Sequence, residues 1–137
     1  MSSINHVAVW IAGIVQFMVG AGWYTTLGRA WMAGIGKDEV QLAAENGHSP
    51  LPYVISFAAG VVIAYTLAWL LPKVGAASAA TGAKTGALAG LALIGTTLAQ
   101  NYGFEARPVS LWLINTGYMV VGMAIMGAIV GHWRKAA

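Results

Sequence analysis

The stretch LPYVISFAAGVVIAYTLAWLL, residues 51–71, contains no charged side chain and no carboxamide. At 1.5 Å per residue, a helix of this length covers the roughly 30 Å hydrocarbon core of a bilayer. Working outward, three more stretches share the pattern: residues 4–24, 79–101 and 109–131. No carboxylate falls inside any of the four, and the one Lys or Arg within their limits, Lys84, sits near an end. The sequence predicts an all-α polytopic membrane protein: one transmembrane domain over residues 1–137, folded as a bundle of four transmembrane helices.

Composition points the same way. Hydrophobic residues make up 58% of the 137-residue chain and charged residues 8%, against roughly 25% charged in soluble domains. So few polar groups cannot cover a soluble fold, so lipid must shield the exterior. The net charge of +3 is spread over single Lys and Arg residues at span ends. That is the pattern of orientation signals and head-group contacts rather than of nucleic-acid binding. The chain has no cysteine, which removes thiolate ligation, disulfides and thiol catalysis. The first span carries no preceding Lys or Arg and exceeds a typical signal-peptide core, so it reads as retained.

Four crossings put both termini on one side, with Lys73, Lys84, Arg134 and Lys135. The opposite side holds Arg29, Lys37 and Arg107 together with Asp38, Glu39, Glu45 and Glu105. Counting Lys and Arg alone, the excess of one places both termini in the cytoplasm.

Between the first two spans, residues 25–50 form the one sizeable extramembrane segment. Leu27, Trp31 and Ile35 recur at helical spacing, predicting a short amphipathic helix on the membrane surface. Gly34 and Gly36 interrupt it, and a second helix is expected from Asp38 to Gly47. Ser49-Pro50 reads as the cap and first residue of the second span. Trp23, Tyr24, Trp31 and Trp133 sit where aromatic rings anchor at the interface.

Two constellations stand out. Gly82, Gly86 and Gly90 fall four apart, as do Ser56, Gly60, Ala64 and Ala68, and Gly127 pairs with Gly131. Each set lines one helix face where backbones can approach closely, within the bundle or between subunits. The second constellation is polar: Gln16, Gln100, Asn101, Asn115 and Tyr118 inside the spans, with Glu105 and Arg107 in the turn after span three. These would line a polar vestibule, or form interhelical hydrogen bonds with Glu105 and Arg107 paired across the turn. No catalytic, cofactor or metal constellation is present, since His6, His48 and His132 lack ligand spacing and no intramembrane carboxylate exists. The leading expectation is a non-catalytic helix-packing protein in the lipid bilayer, acting as a homo-oligomer or with other membrane-protein subunits. The alternative is a small-solute or ion pathway.

Trp23-Tyr24 with Gly28 and Trp31, Asn101-Tyr102-Gly103-Phe104-Glu105, and Leu113-Ile114-Asn115-Thr116-Gly117-Tyr118 resemble the bacterial family catalogued as domain of unknown function 1761. The likeness runs from span one to Gly127–Trp133. It implies a small four-span protein of the bacterial inner membrane and no particular reaction. Thr25-Thr26 stands where the family commonly has Ser-Pro, and Met119 where a His often follows the span-four Tyr.

Overall fold

A computed structural model describes residues 4–134. Among these, all regular structure is helical. Three helices are long and apolar enough to cross a membrane: α1 (His6–Thr26), α4 (Leu51–Lys73) and α7 (Val109–His132). Asn5 caps α1 by accepting from the Ala8 amide at 3.2 Å. The proline-tolerant first turn of α4 begins one residue later than expected. Pro50 precedes it, Pro52 lies inside it, and Ser49 Oγ accepts from the Leu51 amide at 3.2 Å.

The surface segment folds into α2 (Gly28–Ile35) and α3 (Glu39–Asn46). Gly36, at φ 72°, ends α2 in the left-handed conformation that glycine adopts without strain. Asp38 then opens α3 with a capping box: its carboxylate accepts from the Gln41 amide, and the Gln41 side chain accepts from the Asp38 amide. Gly47 closes the helix.

The third apolar stretch departs from a plain span. It consists of α5 (Ala79–Ala89), a π-helical segment (Gly90–Gly95) and α6 (Thr96–Phe104), joined without a break. Ser78 and Thr81 form the capping box at its start. A glycine face centred on Gly86 would return, at about 3.6 residues per turn, near Leu93, Thr97 and Gln100–Asn101. All four are exposed, whereas Gly95 is buried and Leu98 and Tyr102 are half-buried. The wider π turn takes up an extra residue and rotates everything after it. Two glycines in the segment and the Met119–Val120 backbone pressed against Gly90 account for its position here.

α7 is the hub of the fold. It packs against α1, α2, α4, α5, the π segment and α6, while α4 barely touches α5. The predicted bundle is therefore an α1–α4–α7 core with the third stretch laid along the outside of α7. Val9, Ala12, Ala64, Leu67, Leu71, Ala76, Met123, Met126 and Val130 form the apolar centre, toward the end that carries Arg134. Val7, Ile14, Met18, Val62, Leu88 and Leu93 point outward, as expected of a surface facing hydrocarbon rather than water.

Candidate functional site

At the other end of α7 the interior turns polar and aromatic. Trp23, in the last turns of α1, donates its indole Nε1 to the Ile114 carbonyl at 3.0 Å. Its ring lies over Gly117, where an added Cβ would come within 2.9 Å of Trp23 Cζ2. The next residue, Tyr24, donates to Asn115 Oδ1 at 2.7 Å. Asn115 in turn donates its Nδ2 to the Tyr102 hydroxyl at 2.7 Å. One carboxamide thus ties α1, α6 and α7 together with both of its polar atoms engaged.

Tyr24 also packs edge-on against Trp31 and Tyr118, with ring centroids 6.0 and 5.4 Å apart. Tyr118 donates to the Gln16 backbone carbonyl at 3.2 Å and occupies the space over Gly20. Gln16 itself is 3% exposed. Its side chain wedges α1 against α4 and α7, covering Gly60 and filling the place a Gly122 side chain would need. Its Oε1 has no hydrogen-bond partner among the described residues.

Of the polar set read from the sequence, Gln16, Asn115 and Tyr118 come together, with Trp23, Tyr24 and Trp31 around them. Gln100 and Asn101 do not join them; both lie exposed on the outer side of α6, turned away by the π segment. Glu105 and Arg107 are exposed and do not pair. Arg107 donates Nη1 to the Ile35 carbonyl at 3.1 Å, pinning the end of α2. Among the described residues the one ion pair joins Lys37 to Glu45.

The glycine stripes are occupied within the chain. An added Cβ at Gly82 would collide with the Gly127 carbonyl, and one at Gly86 with the Met123 carbonyl. At Gly131 it would meet the Ser78 carbonyl at 2.6 Å. α5 and α7 therefore touch backbone to backbone, which only glycine permits at these positions.

Two residues outside the expected set complete the site. Tyr102 read as loop, but it belongs to α6 and receives Asn115. Trp112 donates its indole Nε1 to the Gly95 carbonyl at 2.8 Å. A signal for Trp112 was available: an indole N–H in a membrane span requires an acceptor. The Thr96 and Thr97 hydroxyls, by contrast, each donate to a carbonyl one turn back at 2.6 Å.

At the opposite end, Asn5 Nδ2 donates to the Trp133 carbonyl at 2.8 Å, and Arg134 Nη1 donates to the Ala76 carbonyl at 2.7 Å. His6 Nδ1 and the Tyr65 hydroxyl lie 2.8 Å apart. Trp133 is half exposed beside His132, as an interfacial ring would be. Among the described residues, no three His, Asp or Glu side chains gather within metal-ligand reach. Lys135 lies outside the described residues.

A family model for a protein of unknown function, DUF1761, matches residues 7–131 of the chain. No curated protein and no solved structure matches it.

Proposed function

Since the chain belongs to DUF1761, a family of unknown function, we propose that it is a non-catalytic helix-packing protein of a bacterial inner membrane, with residues 79–104 forming a fourth crossing. The observation that carries this is the α5–α7 contact. Gly82 meets Gly127, Gly86 meets Met123, Gly90 meets Met119 and Gly95 meets Thr116, so the third stretch runs antiparallel to α7 along most of its length. If α7 crosses the bilayer, its partner crosses beside it. Four crossings, with Lys73, Lys84, Arg134 and Lys135 of the sequence on one side against Arg29, Lys37 and Arg107 on the other, support both termini lying in the cytoplasm.

The working unit in this reading is a homo-oligomer or an accessory subunit of a membrane complex. The glycine stripes are spent inside the chain, so they leave nothing for a partner. What remains on the outside is α6, which buries no residue and presents Gln100 and Asn101. Carboxamides on a membrane helix are costly unless hydrogen-bonded, and a second copy or another subunit supplies that bond. The separation of Gln100 and Asn101 from Gln16, Asn115 and Tyr118 supports packing over a solute pathway.

Native mass after mild detergent extraction tests the proposal. The expected particle is a multiple of the chain or a stoichiometric complex, and Gln100→Leu with Asn101→Leu shifts it toward monomer without unfolding it. A strictly monomeric wild type with no co-purifying subunit overturns it.

A further inference from the structure

We propose that the cleft between α2 and α3 seats the head group of an aminophospholipid, phosphate toward Arg29 and ammonium toward Glu39. The inference rests on the membrane-spanning reading above but not on the oligomer. The cleft is an open groove of about 490 Å³ lined by Arg29, Met32, Ala33, Lys37, Asp38, Glu39 and Val40. Its α2 lining comes from residues on either side of Trp31, whose ring packs on Tyr24 at the end of α1, which sets the groove at the level where head groups meet water.

Its walls are held from below. Arg107 pins the carboxyl end of α2 through the Ile35 carbonyl, and Gly36 makes the left-handed corner into α3. Lys37 is engaged by Glu45, and Asp38 is engaged by the Gln41 amide. That leaves one cation and one anion of the lining, Arg29 and Glu39, whose side chains have neither an ion pair nor a hydrogen bond among the described residues, while Asp38 keeps its charge but is turned to the Gln41 amide. The apolar part of the lining is Met32, Ala33 and Val40.

The occupant follows from this charge pattern. An anionic head group would meet Arg29 but also two carboxylates, Asp38 and Glu39, since Lys37 and Glu45 offset each other as a pair. A zwitterion satisfies both free charges. A primary ammonium donates hydrogen bonds to Glu39, whereas a trimethylammonium cannot, and no aromatic ring lines the groove to hold one by cation–π attraction. α3 itself buries no residue and makes little contact with any other helix, while Val40 is 77% exposed. A glycerol backbone and upper acyl chain would cover that apolar surface.

The test is lipid titration of the full-length, delipidated protein in detergent, read by native mass spectrometry. The probes are phosphatidylethanolamine, phosphatidylcholine and phosphatidylglycerol with matched chains. Phosphatidylethanolamine should bind roughly three- to tenfold more tightly than either of the others, the range expected for one solvent-exposed hydrogen bond of ordinary strength. Glu39→Gln should remove that preference while leaving phosphatidylcholine binding unchanged, and Arg29→Gln should weaken both zwitterionic lipids. Lys84→Gln, on the opposite membrane face, should change neither. Equal binding of the three lipids, a preference for phosphatidylglycerol, or an undiminished preference in Glu39→Gln overturns the proposal. A protein released from membranes by detergent alone would uphold the spanning reading whichever way the titration falls.

Discussion

The indole of Trp112 donates to the carbonyl of Gly95 at 2.8 Å, fastening α7 to the last residue of the π segment. A π turn disturbs the regular ladder of carbonyl acceptors, and in a membrane each such group must be satisfied by the protein itself. The bond therefore holds the segment in the register that turns Tyr102 inward. Trp112→Phe keeps the ring and deletes the donor. It should lower stability by about 1 kcal/mol, read by thermal or denaturant unfolding in detergent. It should also weaken the downstream contact at Tyr102. Unchanged stability would show that the segment does not depend on this bond.

The α5–α7 contact gives the largest expected effect. Gly86→Val would drive a branched side chain into the Met123 carbonyl, costing about 3 kcal/mol or the fold itself. Gly103 is the internal control, because an added Cβ there meets nothing within 4 Å. Gly103→Ala should stabilise α6 by about 0.5 kcal/mol through helix propensity alone. Similar losses in both variants would contradict the close backbone approach.

Asn115 and Gln100 are both helical carboxamides, on α7 and α6, and the structure separates them. Asn115→Leu leaves the Tyr24 and Tyr102 hydroxyls without their partner and should cost about 1–2 kcal/mol. Gln100→Leu should leave monomer stability within about 0.5 kcal/mol, as exposed substitutions do. A double-mutant cycle between Tyr24→Phe and Asn115→Leu should show coupling of about 0.6 kcal/mol or more. Zero coupling would remove the bridge from the account.

The absence of native cysteine makes topology directly measurable. Lys84→Cys and Glu105→Cys sit at opposite ends of residues 79–104, both exposed. A membrane-impermeant thiol reagent should label Glu105→Cys on intact cells and Lys84→Cys only after permeabilisation. Labelling of both from one side would show that this stretch does not cross.

Much of the fold was legible residue by residue. Span positions followed from hydropathy and length, and α2 and α3 followed from Gly36, Asp38 and Gly47, because caps and glycine turns act over a few residues. The glycine stripes announced close approach, but not that Gly82 meets Gly127. The polar set was less legible. The cost of polar groups in lipid points Gln100 and Asn101 toward the interior, yet the structure leaves both exposed and brings Tyr102, just past the third stretch, against Asn115.

The sequence by itself determined the class, the helix positions and the faces able to pack closely, since each depends on local composition and period. Only the tertiary structure decided which residues meet. Gly90 and Gly95, pressed by α7, admit the one extra residue of the π turn, and Trp112 satisfies the Gly95 carbonyl. That rotation takes Asn101 out of the interior and puts Tyr102 against Asn115. It is set by the fit between two helices, and that fit has no period in the chain from which it could be read.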